Sequence, residues 1–234
     1  FRWAMSDLVA WCVETVGGYR NAGHRVVFNL TGGFKSVQGF MQALGMIYAD
    51  ESVYIFERTE QLLRLPRLPV QLDSAAILRR HLAIFRRIAA GLPVLEAEVA
   101  NVPESLVNVL DRQAVFSPWG ELVWQEAYRP IYSAELLAPI TSKLDFGPRF
   151  QQSLTGLAPD RVRLVNERFD QLARRLEEGE TYNPRSLDFK ILQGAGYKES
   201  THECDAWSNQ DAKRLFGHYD GGRFILDRLD KGLH

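Results

Sequence analysis

The chain has 234 residues, of which 46% are apolar and 24% charged, and its formal net charge is −1. This length suits one large domain or two small ones. The near-zero charge provides no global attraction to nucleic acid or membranes, and no apolar run approaches the ~20 residues that span a bilayer. The cysteines, Cys12 and Cys204, lie far apart without Cys-x-x-Cys spacing. We therefore expect a cytoplasmic protein without a disulfide scaffold, a structural metal or a membrane partner.

The first part of the chain has the pattern of a βαβ unit. It starts at Phe1 within a helical pattern, so we expect the first domain to be incomplete at its N-terminus. The predicted elements are a helix near 5–17, a strand at 25–30, a turn at 31–33, a helix at 35–49 and a strand at 52–57. Short connections of this kind favour a parallel sheet, with strand 25–30 buried on both faces. Two prolines within 64–69 end the unit.

The middle of the chain is predicted to be mainly helical. An amphipathic helix is expected over 74–92, a second helix from Pro103, a turn at 116–120 and a further helix at 121–128. The basic residues on the first of these helices are Arg79, Arg80, Arg86 and Arg87. They are explained either by a solvated helix face on a spacer or by a docking module for a partner.

The last part of the chain changes character. Two helices, near 148–155 and 159–178, precede a run of four predicted strands. These strands are expected at 187–192, 200–207, 212–219 and 223–230. Asp220-Gly-Gly is a hairpin signal between the last two strands. Helices followed by antiparallel strands indicate a small α+β domain that is distinct from the first one.

The Thr31-Gly-Gly turn lies where a predicted parallel strand gives way to a helix. Ligands bind at this end of the strands in open α/β sheets, and the helix N-terminus offers unpaired N–H groups to a phosphate. Lys35 adds a charge, and Thr31 and Ser36 add hydroxyl groups. The spacing is not that of an ATP-hydrolysing loop. Gly32 and Gly33 are also what an ordinary structural turn would contain.

The wider sequence around this turn resembles the CRISPR-associated Rossmann fold (CARF) sensor family. The resemblance depends on Asn-Leu-Thr-Gly-Gly-Phe-Lys-Ser at 29–36, Tyr-Ile-Phe-Glu at 54–57 and Leu-Pro-Arg-Leu-Pro at 65–69, and it covers about 1–72. It implies a homodimer that binds a cyclic oligoadenylate, usually the four-adenosine ring, cyclic tetra-adenylate. The implied ligand contacts are Thr31, Gly32, Gly33 and Lys35. Whether the domain also degrades its ligand is left open.

A second group of polar residues lies on the predicted C-terminal strands. Glu203 and Asp205 share one face of a strand, and Arg214 and His218 share one face of the next. Further candidates are Lys190 on the preceding strand, and Lys231 and His234 at the end of the last one. Cleaving RNA without metal needs a base, a fixed cation and an acid, and these residues could fill the roles. Solvated residues on a sheet face would give the same pattern.

The C-terminal part resembles the RelE toxins, which are ribosome-dependent ribonucleases that cut mRNA. The resemblance covers about 141–234 and depends on Phe150 at a helix start, Asn183-Pro, Leu187-x-x-Lys-x-Leu, His202-Glu and Arg-Leu-Phe at 214–216. It implies that Arg214 stabilises the transition state, that Lys231 is a basic contact and that His234 is the acid. The base is either Glu203 or Asp205.

The sequence therefore predicts a partial Rossmann-like α/β CARF domain at 1–72, a helical linker at 73–140 and a small α+β RelE-like domain with an antiparallel sheet at 141–234. The expected function is a cyclic-oligoadenylate-activated ribonuclease of CRISPR defence. Its expected partners are the ribosome, ribosome-bound mRNA and the ribosomal stalk protein. The resemblance implies that the middle segment could be the surface that docks on a ribosomal component or ribosomal RNA. The alternative is a non-catalytic regulator whose C-terminal domain only binds nucleic acid or a protein.

Overall fold

A computed structural model describes residues 2–32, 35–55, 61–193, 197 and 199–232. By its internal contacts the chain divides into two compact units, and the predicted linker 73–140 contributes to both. The first unit consists of Phe1–Leu78, Pro103–Asn108 and Phe116–Ala127, and the second of Arg79–Val102, Val109–Val115 and Tyr128–His234. The mixed α/β character expected from the sequence is confirmed. None of the described helices is both long and apolar enough to cross a lipid bilayer.

The N-terminal elements are helix α1 (Arg2–Trp11), a π-helical turn (Cys12–Val16), α2 (Gly17–Asn21), β1 (Val27–Asn29), α3 (Lys35–Tyr48), β2 (Glu51–Ile55) and β3 (Leu62–Pro66). Strands β1 and β2 are parallel, which confirms the predicted βαβ unit. Their core contains Val9, Phe28, Leu30 and Leu44. The expectation that strand 25–30 is buried on both faces is wrong, because Val27 and Asn29 are exposed while Phe28 and Leu30 are buried.

Strand β3 was not predicted. It pairs antiparallel with β2, Leu62 opposite Ile55 and Pro66 opposite Glu51. The two prolines at 64–69 predict the end of the unit, but Pro66 occupies the last position of an edge strand, where a missing N–H group is tolerated. The first sheet therefore has the order β1-β2-β3.

The middle of the chain contains α4 (Ser74–Arg80), α5 (Leu82–Ala89), a 3-10 turn (Glu96–Val99), β4 (Val107–Leu110), β5 (Gln113–Phe116) and α6 (Pro118–Ala134). The helix predicted from Pro103 is wrong, since β4 and β5 form a two-stranded sheet. Asp111 and Arg112 make its turn with positive φ angles of 49° and 63°, as tight hairpins require. The turn predicted at 116–120 is also wrong, because Ser117 caps α6 by accepting the Gly120 N–H.

The C-terminal elements are β6 (Leu144–Phe146), α7 (Phe150–Ser153), α8 (Pro159–Glu178), a 3-10 turn (Gly179–Thr181), β7 (Lys190–Ile191), β8 (His202–Trp207), β9 (Lys213–Asp220) and β10 (Arg223–Lys231). They form a sheet of order β6-β10-β9-β8-β7. All its pairs are antiparallel except β6 with β10, and β6 was not predicted. The Asp220-Gly-Gly hairpin is confirmed, with both glycines at positive φ. Phe150, Phe169 and Leu172 pack against one face of the sheet.

Arg86 is buried, although the sequence placed it on a basic surface face. Its side chain is 3% exposed and binds Asp170 of α8 at 2.6 Å. It also donates to the Ala138 carbonyl oxygen, and Tyr132 donates its hydroxyl to the same aspartate. Arg79 and Arg80 are exposed. Arg86 therefore connects α5 to α8 within the second unit and does not belong to a surface that could contact RNA.

We expect Arg86→Met to lower the free energy of unfolding by about 3 kcal/mol or more, because it leaves the buried Asp170 carboxylate without its cation. Arg79→Met is the matched control and should change stability by less than about 0.5 kcal/mol, since its side chain is exposed. Urea unfolding followed by circular dichroism measures both variants. Equal stabilities of the two variants would contradict this assignment.

Candidate functional site

The face of the sheet opposite α8 carries four of the polar residues predicted for the C-terminal site. Cys204 of β8 and Leu215 of β9 belong to the core under the helices. Side chains alternate between the two faces of a strand, so Glu203, Asp205 and Arg214 lie on the other face. Asp205 is the register partner of Arg214, and Lys190 of β7 is the partner of Glu203. Three strands thus bring these four side chains to one area.

Arg214 is at the centre of this group, which we call the Arg214 cluster and define as Arg214, Lys190, Glu203, Asp205 and Asp188. Its guanidinium lies 2.7 Å from Glu203, 2.9 Å from Asp205 and 3.0 Å from Asp188. Lys190 binds Asp188 at 2.7 Å and lies 3.9 Å from Glu203. The planar guanidinium suits such multiple carboxylate contacts, since its donors project in a fixed fork.

Burial differs strongly among the three carboxylates. The Glu203 side chain is 2% exposed, that of Asp205 17% and that of Asp188 40%, while that of Arg214 is 16% exposed. Glu203 therefore lies beneath the guanidinium and fixes its position. Asp205 and Asp188 reach the surface, where they can contact a substrate.

The electrostatics of the cluster keep Arg214 charged and Asp188 ionised. Burial acts to lower the pKa of Arg214, but the hydrogen bond to Asp188 and the three carboxylate charges together raise it. The hydrogen bond from Lys190, followed by that from Arg214, lowers the pKa of Asp188. Two cations and three carboxylates give the cluster a net charge of 2 − 3 = −1.

Asp188 was not among the sequence candidates. It lies in the turn before β7 with φ 45°, in the left-handed region that aspartate tolerates better than most residues. Asn183 holds this turn by accepting the Phe189 N–H and donating to the Phe189 carbonyl oxygen, both at 2.9 Å. No local signal identifies it, because the left-handed turn before β7 interrupts the strand alternation and only the fold brings the carboxylate to Lys190.

His218 belongs to a different group on the same face. Its Nδ1 lies 3.0 Å from the Asp227 carboxylate, to which Ser200 also donates a hydrogen bond of 2.7 Å. Four residues separate His218 from Arg214 along β9, which corresponds to ~13 Å of strand. The structure thus places His218 apart from the Arg214 cluster.

The end of β10 runs beside Arg214. Lys231 pairs in register with Lys213, and its backbone N–H donates to Asp230. A Cβ atom added to Gly232 would lie 3.6 Å from Cδ of Arg214, so the backbone at Gly232 is close to that side chain. His234, the predicted acid, lies outside the described residues.

The Thr31-Gly32 turn lies at the carboxyl ends of the parallel strands β1 and β2. The Thr31 N–H donates to the side chain of Asn29, and the Thr31 hydroxyl oxygen accepts the Ile55 N–H at 2.9 Å. Gly32 has φ 83°, which favours glycine. Gly33 and the side chains of Lys35 and Ser36 lie outside the described part of the structure.

Neither cysteine is in an environment suited to nucleophilic catalysis. Both are buried, and burial raises the pKa of Cys12 to about 11 and that of Cys204 to about 12. At neutral pH both are thiols, whereas the thiolate is the nucleophile. Among the described residues, no group of three or more His, Cys, Asp and Glu side chains has an arrangement that could hold a metal ion.

We expect the stability contribution of the Asp188 carboxylate to disappear in acid. Its pKa in the folded protein is below its ordinary value of 3.8, so the contribution is complete above that value and is lost as the pH falls through the folded-state pKa. The difference in Tm between the wild type and Asp188→Asn should therefore narrow below pH 3.8. In a Lys190→Gln background the difference in Tm should be smaller and should vanish at a higher pH, because the largest cause of the pKa shift is gone. A difference that stays constant throughout would contradict the assignment.

Comparison with known proteins concerns the N-terminal region. Residues 1–68 match the model of a family described as CRISPR-associated protein (Cas_APE2256). The matched region contains β1, the Thr31-Gly32 turn, α3, β2 and β3. Comparison with curated proteins found no match to the chain. The family match supports a CRISPR-associated protein with a role in CRISPR defence.

Proposed function

We propose that the chain is an effector of CRISPR defence in which a nucleotide-sensing domain controls a ribonuclease that cuts ribosome-bound mRNA without a metal. The family match over 1–68 supports the link to CRISPR. The observation on which the nuclease proposal depends is the Arg214 guanidinium, held 2.7 to 3.0 Å from three carboxylates on one face of the sheet. A fixed cation beside an accessible carboxyl group provides two of the three groups that metal-independent RNA cleavage needs.

Asp205 is the better candidate for the base. It accepts the proton of the RNA 2′-hydroxyl, the 2′-oxygen attacks phosphorus and the 5′-oxygen leaves, which yields a 2′,3′-cyclic phosphate and a 5′-hydroxyl. Arg214 stabilises the extra negative charge on the phosphorane. Glu203 positions Arg214 in this scheme, because a side chain that is 2% exposed cannot contact the substrate.

The acid that protonates the 5′-oxygen comes from the end of the chain. Gly232 lies beside Arg214, and two further residues span at most ~7 Å, so His234 can reach the same phosphate. Lys231 is predicted to be a basic contact, but it pairs with Lys213 and is two residues from the core residue Leu229, so its side chain lies on the helix side of the sheet, away from Arg214. His218 is a weaker candidate, since about 13 Å of strand separate it from Arg214.

We propose that the ribosome brings the mRNA to this site. Residues 142–234 contain 15 Lys and Arg residues and 15 Asp and Glu residues, whereas a nuclease that binds RNA by itself usually has a basic excess. The stalk protein remains a candidate partner for the middle segment. Arg79 and Arg80 are exposed and available for such a contact, while Arg86 is buried.

The Thr31-Gly32 turn is proposed to bind a phosphate of a cyclic oligoadenylate, most simply cyclic tetra-adenylate, in a homodimer. Its position at the carboxyl ends of β1 and β2 supports this proposal. The Thr31 oxygen accepts a hydrogen bond from Ile55, which leaves its hydroxyl hydrogen for the ligand. Ligand binding can activate cleavage only if it favours the active conformation over the inactive one.

Arg214→Ala should reduce cleavage of mRNA on translating ribosomes by roughly two or more orders of magnitude, because a transition-state contact is lost. Arg223→Ala is the matched control: it removes an arginine whose ion pair with Asp145 is 2.9 Å long on the same sheet, and it should retain activity. Mapping of mRNA ends with and without cyclic tetra-adenylate measures both variants. Unchanged cleavage by Arg214→Ala would refute the assignment.

The same experiment distinguishes the non-catalytic alternative. The full neutralisation of Arg214 by carboxylates is the observation that favours this alternative, since it is typical of a structural ion-pair network. If wild-type protein with saturating ligand produces no new mRNA ends, the C-terminal domain is a binding module. In that case Arg214→Ala would change only affinity for its partner.

Thr31→Val should weaken binding of cyclic tetra-adenylate by about tenfold, as expected for one lost hydrogen bond and a loosened turn. The isosteric valine cannot accept the Ile55 N–H. Thr155→Val changes an exposed threonine in the second unit and should bind the ligand as the wild type does. Isothermal titration calorimetry provides the affinities. Equal affinities of the two variants would show that the turn is not part of the ligand site.

A further inference from the structure

We infer that Lys190 and Arg214 form a subsite for one phosphate of single-stranded RNA, and that the Asp188 carboxylate occupies this subsite in the free protein. The inference rests on the proposed ribonuclease function and assigns a role to a residue that the chemistry above does not use. Asp188 would then keep the nuclease closed until substrate displaces it.

The geometry of one carboxylate oxygen leads to this assignment. Oδ2 of Asp188 lies 2.7 Å from the Lys190 ammonium and 3.0 Å from the Arg214 guanidinium. It therefore bridges two cations that come from different strands. A non-bridging phosphate oxygen makes charge-assisted hydrogen bonds of the same length to the same donors, and it can take the place of Oδ2.

The charge of the cluster is conserved in this exchange. With Asp188 in place, two cations face three carboxylates and the net charge is −1. When Asp188 swings out, Glu203 and Asp205 balance Lys190 and Arg214. One phosphodiester then restores the charge of −1. A phosphate added beside Asp188 would instead have to approach a cluster that is already negative.

Of the three carboxylates, Asp188 has the side chain that moves away from Arg214 most easily. Its side chain is 40% exposed, compared with 17% for Asp205 and 2% for Glu203, and exposed ion pairs are weak. Its departure leaves both cations in place, because Glu203 lies 2.7 Å from Arg214 and 3.9 Å from Lys190.

The backbone around Asp188 is fixed, so the exchange requires only a side-chain rotation. Leu187 and Phe189 are buried on either side of it. Asn183 holds the Phe189 backbone with two hydrogen bonds, and the Leu187 carbonyl oxygen accepts the Asp205 N–H at 2.7 Å. The subsite is therefore preorganised around a single movable carboxylate.

The test is binding of a probe that the protein cannot cleave. A 2′-O-methyl RNA trinucleotide lacks the attacking hydroxyl, and inorganic phosphate serves as a second probe. Asp188→Asn and Asp188→Gly both suit the left-handed backbone at φ 45°, and either should bind the trinucleotide roughly tenfold more tightly than wild type. Fluorescence anisotropy and NMR titration of the full chain measure the affinities.

Asp145→Asn is the matched control, since it changes the net charge equally and removes an exposed partner of Arg223 at 2.9 Å. An equal gain in Asp145→Asn, or no gain in either Asp188 variant, overturns the inference. Adding Lys190→Gln should abolish the gain of Asp188→Asn, and a gain that survives also overturns it. Because no cleavage occurs, the result is independent of the nuclease proposal: tighter binding without any mRNA cleavage by wild type would preserve the subsite and reject the enzyme.

Discussion

The contact on which the C-terminal site depends is the ion pair between Arg214 and the buried Glu203. A carboxylate that is 2% exposed must have its charge compensated, and the guanidinium of the neighbouring strand provides this compensation. Once Arg214 is fixed above Glu203, its other donors point toward Asp205 and Asp188. The arrangement of the whole cluster follows from one buried charge on a sheet face.

The sequence predicted the elements whose signals are local. In α3 and α8, apolar residues recur at helical spacing over many residues, and Asp220-Gly-Gly is typical of a tight hairpin turn. The wrong or missing predictions concern residues whose contacts lie far away in the chain, or residues that are compatible with more than one kind of element. Burial of Arg86 depends on Asp170, 84 residues away in the chain. Strand β3 was missed because Pro66 is also a signal for the end of an element, and only the pairing with β2 shows that it belongs to an edge strand. Ser117-Pro resembles a turn, yet it is also a good helix start.

The site was predictable to the extent that strand alternation determines which residues share a face. That rule placed Glu203, Asp205 and Arg214 together. The rule does not show whether two residues on one face are close enough along the strand to contact the same substrate. His218 was therefore grouped with Arg214, although it binds Asp227. Asp188 was missed because its left-handed turn precedes the strand, and only the fold brings its carboxylate to Lys190.

A nuclease with this charge distribution would obtain its specificity from placement. The C-terminal part has no basic excess, so binding would displace few counterions, and the affinity for free RNA would be weak and only mildly dependent on salt. Occupation of the phosphate subsite by Asp188 also lowers the affinity for free RNA, because every incoming phosphate must first displace Asp188. Both features disfavour cleavage of RNA that meets the protein by diffusion. RNA that another body holds against the Arg214 cluster has a high effective concentration there, so its cleavage is disfavoured much less. In the proposed effector, weak intrinsic RNA affinity would thus protect cellular RNA while leaving the ribosome-bound message open to attack.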